Sequence, residues 1–305
     1  MADPIALPKK LLLAVDSQGA CEHALHAGLW LGRVLPAELE CVHAFPTRPI
    51  LWGKSEQAAE WEAGTEVGAR GLKRMLGEFV RRAPPELRPL SEWREERLCV
   101  ASGHPAALVL ERARTTAADL LLLGPHRPRP GIDFGNTMRG LLSRADCPVW
   151  IQPVPARAIR RILVPTDLSA HAAHALALAR ALARRIDAKL TVVHVFEPPI
   201  LGAGEAYVPG PVYAIEDLER EALRAFEEEV HRLDPEGGEI ASEFVRGNTV
   251  ALILGLQERF DLVVMGSHGH TGFAAALLGS VTHAVARSIR SALLVVPDPR
   301  RSFLH

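Results

Sequence analysis

The chain repeats itself. An apolar run closed by an acid, Leu11-Leu12-Leu13-Ala14-Val15-Asp16, returns as Ile162-Leu163-Val164-Pro165-Thr166-Asp167, at a spacing of 167 − 16 = 151 residues. At the same spacing Cys41-Val42-His43-Ala44-Phe45 is answered by Val192-Val193-His194-Val195-Phe196. Further on, Ser102-Gly103-His104 is answered by Arg246-Gly247-Asn248, Asp119 to Gly124 by Asp261 to Gly266, and Gly135 by Gly279. Landmarks recurring in one order mark an internal duplication, which restricts the fold to two similar units in series. A length of 305 residues suits two domains, each large enough for its own core. The expected domains are 1–153 and 158–305, joined by the connector around Pro153-Val154-Pro155.

Within the first copy, apolar runs at 10–16, 39–45, 96–101, 119–124 and 148–152 alternate with helix-periodic stretches at 20–34, 57–82, from Pro105, and 135–144. The order βαβαβαβαβ predicts an α/β fold: a five-stranded parallel sheet in each half, with right-handed crossovers and helices on both faces. In such sheets the ligand lies beyond the carboxyl ends of the strands, near the switch in strand order. If the first and fourth strands are neighbours, the turns after Asp167 and Gly266 open into one crevice. The fifth strands, 148–152 and 292–296, are apolar and terminal, which suits pairing between domains or between subunits.

A formal charge of -1 and a pI near 6.9 give no basic excess to attract nucleic acid or anionic membrane. The first apolar run, Leu11 to Val15, is too short for a signal peptide or a membrane span, so the chain reads as cytoplasmic. Cys21, Cys41, Cys99 and Cys147 form no C-x-x-C pair and read as small core hydrophobes. The pairs His23/His26 and His171/His174 lack a third ligand for zinc and fit the edges of amphipathic helices. Glu227-Glu228-Glu229 fits a polar helix face. No G-x-S-x-G elbow, H-E-x-x-H helix or kinase signature is present, so no dedicated catalytic set is expected.

One loop stands out. Leu262-Val263-Val264-Met265 empties into Gly266-Ser267-His268-Gly269, and nine residues later Gly279-Ser280 opens a helix. Glycines let backbone N–H groups approach a polyphosphate and permit positive φ, while the helix start adds free donors and partial positive charge. The loop has no lysine and is neither a P-loop nor a dinucleotide fingerprint. Two readings stand at this point: a phosphate cradle, or glycines that serve only a tight strand-to-helix turn. Asp167 likewise has two: a ligand contact, or a cap for the helix beginning near Ser169.

With Pro165-Thr166-Asp167 and Gly266-Ser267-His268-Gly269…Gly279-Ser280 together, the chain resembles a tandem universal stress protein of the ATP-binding branch, whose motif is G-x-x-G, nine residues, then G-S or G-T. The resemblance implies two Rossmann-like domains of the adenine nucleotide α-hydrolase-like kind. It implies ATP at Pro165, Thr166, Asp167, Val195, Gly266, Ser267, His268, Gly269, Gly279, Ser280 and Val281, with Asp167 receiving the adenine amino group and backbone at Val195 bordering the base. Mg2+ or Mn2+ would accompany the nucleotide; His268-x-His270 is not its expected anchor, because magnesium prefers oxygen ligands. The implied role is stress-response regulation with slow or no hydrolysis, in a homodimer or an intramolecular domain pair. A weak ATPase or phosphotransferase and a nucleotide-independent interaction scaffold are the alternatives.

The first half departs from the motif. Arg127 stands at the second glycine position, Pro125, Pro128 and Pro130 interrupt the loop, and Asn136 replaces the serine. Each proline removes a donor and fixes φ, so ATP binding by this mode is expected only in the second half. Arg127 and Arg129 read as solvated or interface charges, and Trp52 and Trp61 as packing residues, with an apolar ligand pocket around them as the lesser reading.

Overall fold

Leu11, Leu12 and Leu13 are all buried, on alternating sides of one strand, which is what a continuous apolar run requires of the centre of a covered sheet. The fold built around that strand was obtained as a computed structural model, which describes residues 6–45, 56–88, 95–125, 136–198, 212–269 and 278–297. The first half runs β1 (Lys10–Ala14), α1 (Glu22–Val34), β2 (Glu38–Phe45), α2 (Glu56–Arg82), β3 (Leu98–Ser102), α3 (Pro105–Thr116), β4 (Leu120–Leu123), α4 (Asn136–Arg144) and β5 (Val149–Ile151). The second repeats it: β6 (Arg161–Thr166), α5 (Ala170–Ile186), β7 (Lys189–Phe196), α6 (Val212–Leu233), β8 (Ile240–Arg246), α7 (Thr249–Leu256), β9 (Leu262–Gly266), α8 (Ser280–Ser288) and β10 (Ala292–Val296).

The strands form one ten-stranded sheet in the order β3-β2-β1-β4-β5-β10-β9-β6-β7-β8. Each half is parallel throughout, and the single antiparallel seam is β5 against β10, with Leu293 opposite Ile151, Leu294 opposite Trp150 and Val295 opposite Val149. The fifth strands therefore pair between the halves of one chain. That seam relates the halves by an approximate two-fold axis normal to the sheet. Trp150 is 1 % exposed and donates from Nε1 to Gln152 Oε1 at 2.8 Å, so its polar edge is satisfied inside the core.

Helices α1, α2, α5 and α6 cover one face of the sheet, and α3, α4, α7 and α8 the other, each face over its own apolar cluster. The repeat extends to its fastenings. Asp119 Oδ2 accepts the backbone N–H groups of Lys9 and Lys10 at 2.9 Å, and Asp261 Oδ2 those of Arg160 and Arg161 at 3.0 and 2.9 Å. His43 Nδ1 donates to Val15 O at 2.7 Å, and His194 Nδ1 to Thr166 O at 2.9 Å, each tying the second strand to the end of the first.

Cys21 and Cys41 are buried core residues as expected, and burial pushes the thiols of Cys21 and Cys147 up to about 12 and that of Cys41 well above the usual range. His26 departs from its expected place on a helix edge. It is buried, with Nε2 2.8 Å from Phe79 O, and so fastens α1 to α2. No helix among the described residues is long and apolar enough to cross a membrane.

Candidate functional site

β6 and β9 are neighbours, paired Ile162 to Leu262 and Leu163 to Val263. Their carboxyl ends therefore open side by side, and the turn after Thr166 faces the turn after Gly266. In the first of these turns, Thr166 is buried and its Oγ1 accepts from Leu168 N at 3.1 Å. Leu168 has φ +65°, a left-handed conformation that disfavours a side chain by roughly 1–2 kcal/mol. The neighbouring bonds hold it there: Ser169 N donates to Asp167 Oδ1 at 3.0 Å, and Ser169 Oγ accepts from Ala172 N at 3.2 Å. The cap of α5 is thus Ser169 itself. Asp167 braces that turn with one oxygen.

The other carboxylate oxygen lies across the crevice. A methyl group built on Gly269 would collide with Asp167 Oδ2, so a side chain there would push the carboxylate aside. A methyl on Gly266 would meet the backbone of His171 and His268 at 3.2 Å, and one on Gly279 would meet Ser267 O at 3.2 Å and His268 Cα at 3.3 Å. None of the three adopts positive φ, so the expectation that these glycines supply left-handed backbone is corrected. They serve close approach. The loop's two ends, the β6 turn and the start of α5 are packed so closely that a Cβ at Gly266 or Gly279 would press on backbone and one at Gly269 on the Asp167 carboxylate.

The loop is tied from both sides. Ser267 N donates to Val296 O at 2.8 Å and Gly279 N to Ser267 O at 2.9 Å. Thr282 Oγ1, buried in the first turn of α8, donates to Gly266 O at 2.8 Å. Gly279 is the N-cap of α8, and Ser280 and Val281 begin its first turn, where backbone donors and the helix dipole favour an anion. Ser267 is 1 % exposed, with Oγ 2.8 Å from His268 Nδ1, so its hydroxyl orients the imidazole from inside the loop. His268 in turn lies 6.0 Å, ring centre to ring centre, from His171 on α5.

Of the expected residues, Pro165, Thr166, Asp167, Gly266, Ser267, His268, Gly269, Gly279, Ser280 and Val281 are gathered at the adjoining ends of β6, β9 and α8. Val195 is half-buried near the end of β7, which is β6's other neighbour. Next to it Glu197 reaches over to α7, accepting from Asn248 Nδ2 at 2.9 Å and from Thr249 N and Oγ1 at 3.1 and 3.0 Å. The Thr249 N–H bond, followed by the other two, holds the Glu197 carboxyl below its ordinary pKa. Three contributors escaped the sequence reading: Thr282, Leu168 and His171. A threonine two places after the Gly-Ser pair was a readable signal; the φ of Leu168 and the packing of His171 were not. No group of three or more metal-ligating side chains exists among the described residues. His270, Arg127, Arg129, Gly135, Trp52 and the side chain of Trp61 lie outside the described residues.

Comparison with known proteins places this geometry in a family. A universal stress protein of Methanocaldococcus jannaschii is 30% identical over 146 residues, 47% of this chain and 84% of that protein. The universal stress protein A homolog 1 of Coxiella burnetii is 33% identical over 132 residues, 41% of this chain and 88% of that protein. In three dimensions a universal stress protein from Archaeoglobus fulgidus matches over 94% of this chain and 98% of its own, with a TM-score of 0.62 at 16% identity, a likeness of fold. The family model for universal stress proteins matches twice, over residues 8–153 and 158–297, and the chain belongs to the universal stress protein family, as two tandem copies.

Proposed function

We propose that the second domain, 158–305, binds ATP in the crevice between the β6 and β9 turns, and that the first, 1–153, does not bind it by this mode. The observation that carries this reading is the approach of Asp167 Oδ2 to Gly269. A turn would need only one glycine for its geometry. Here the loop comes so close to the acid after β6 that a Cβ at Gly269 would displace the carboxylate, and the N-terminus of an adjacent helix lies beside it. Asp167 is the group to accept the adenine amino hydrogen, and the backbone donors of Gly269, Ser280 and Val281 are those to meet phosphate. Neither lysine nor arginine stands among residues 266–269 or 278–281, and no carboxylate there serves as a base, so hydrolysis is slow and the bound nucleotide acts as a regulatory ligand. Any Mg2+ or Mn2+ arrives on the phosphates, because the loop offers no carboxylate to hold it.

The experiment is to denature the purified protein, assay the released material for adenine nucleotide, and titrate the refilled protein with ATP by calorimetry. One equivalent per chain is expected, abolished by Gly279→Val. An empty protein that gives no heat with ATP would leave the scaffold as the better account. Turnover well above background that is lost in Asp167→Ala would make it an enzyme.

A further inference from the structure

Among the described residues one buried side-chain polar atom has no hydrogen-bond partner, Ser291 Oγ, in a residue only 6 % exposed. A hydroxyl withdrawn from water and left unpaired is destabilising, so an occupant beside it is called for. Ser291 ends the turn from α8 into β10 and lines a cavity of about 70 Å3 between the connector, the turn after α7 and the turn after α8. That volume is several times the ~10–15 Å3 that one water needs and far below the ~300 Å3 of a drug-sized pocket. It suits a molecule of a few heavy atoms. The cavity lies at the amino ends of β9 and β10, the opposite edge of the sheet from the crevice beyond Gly266.

Most of the polar lining is already committed. Gln152 donates from Nε2 to Val154 O at 2.9 Å and accepts from Trp150 Nε1. Gln257 donates from Nε2 to Leu254 O at 2.8 Å and accepts from Arg290 N. Asp261 gives one oxygen to the N–H groups of Arg160 and Arg161 and the other to Arg157, at 2.8 Å. Three groups of the lining remain: the Ser291 hydroxyl, the Arg290 guanidinium and the Glu258 carboxylate. The last two are exposed at the rim, and neither has an ion pair among the described residues.

The first half closes the same place by itself. There Asp146 and Cys147 follow α4, and Arg114 of α3 donates to Asp146 at 3.0 Å. In the second half Arg290 and Ser291 stand at those two positions, and the acid on the neighbouring segment, Glu258, stays beyond ion-pair distance from Arg290. An occupant that completes all three groups presents an anionic end to Arg290 and Ser291 and a cationic end to Glu258. A simple anion would meet Glu258 unscreened, and a simple cation would meet Arg290.

We infer that this cavity is a binding site for a small zwitterion, an α-amino acid of the size of glycine or alanine, with its carboxylate on Arg290 and Ser291 Oγ and its ammonium group on Glu258. The site is independent of the nucleotide reading, because no residue is shared between the two.

Calorimetric titration of the full chain with glycine tests this. One equivalent is expected, with a Kd of about 1 mM or tighter, and with acetate and methylammonium each at least about tenfold weaker. Arg290→Gln and Glu258→Gln should each weaken glycine about tenfold or more, because each removes a charged partner. Ser291→Ala should weaken it about threefold to tenfold while the melting temperature of the glycine-free protein holds or rises, since the change deletes an unpaired buried hydroxyl. Gly279→Val, which alters the nucleotide crevice, should leave glycine binding unchanged. No heat with glycine at about 50 mM would mean that the cavity holds water alone and would overturn the proposal. So would acetate that binds as tightly as glycine, or an affinity indifferent to Arg290 and Glu258.

Discussion

The two halves end their first strand beside their fourth by different turns. In the first half Asp16 Oδ1 accepts from Gln18 N at 2.7 Å and Ala20 N at 3.0 Å, the chain reverses through Gly19 at φ +81°, and α1 starts only at Glu22. A methyl on Gly124 would lie 2.5 Å from Ala20 O, so the longer turn presses against the end of β4. In the second half α5 starts at Ala170, Ser169 caps it, and Asp167 keeps an oxygen turned toward Gly269. The position of Ser267, whose N–H reaches β10, is held in the first half by Pro125, which has no N–H to give. The lesson is that the glycine both halves share, Gly124 or Gly266, is architectural: it lets a strand end pack on the start of a helix. The glycine present in the second half alone, Gly269, marks the candidate site.

That comparison can be broken at several points. The largest effect is expected at the seam, where Trp150→Ala should cost about 3–5 kcal/mol and, if the halves form one cooperative unit, lower a single unfolding transition in denaturant. Two separated transitions would mean that each half folds by itself and that the comparison concerns two independent domains. Gly269→Val should next reduce ATP affinity about a hundredfold or more, roughly 2.7 kcal/mol, with the melting temperature nearly unchanged. Unchanged affinity would show that the close approach to Asp167 serves packing alone. Gly124→Ala should behave in the opposite way, costing about 1–3 kcal/mol of stability because its Cβ meets backbone, while nucleotide binding stays intact.

The smallest effect is at Glu197, at the β7 end of the second half. Its pKa is lower in the folded state, so its contribution is present above the unfolded carboxylate range and is lost as pH falls through the folded value. Because the side chain is exposed and screened, Glu197→Gln should cost well under about 1 kcal/mol at neutral pH and nothing in strong acid. A constant difference at all pH values would assign its role to shape rather than charge.

Much of the fold was legible because apolar runs have few ways to be buried. Leu120–Leu123 and Leu262–Gly266 read as strands covered on both faces, short apolar runs closed by glycine, and the start of α8 at Ser280 followed from Gly-Ser. Within the candidate site, the identity of the gathered residues was legible from the spacing of Asp167, Gly266, Gly269 and Gly279, but their roles were less so. Ser267 was expected among the ATP contacts, and its hydroxyl lies buried beside the His268 imidazole. The glycines were expected to permit positive φ, and Gly266, Gly269 and Gly279 take none; they let segments of the chain approach one another.

By itself the sequence determined that this protein is one α/β unit made twice, because periodicity, duplication and turn residues are local properties written in order along the chain. It also determined that only the later copy keeps the full glycine loop. The tertiary structure decided that the copies share a single sheet through β5 and β10, that His26 and Trp150 close their polar atoms inside the core, and that Asp167 meets Gly269 across a hundred residues of chain. Those outcomes depend on which surfaces come together, and contact between distant segments leaves no periodic trace in the segments themselves.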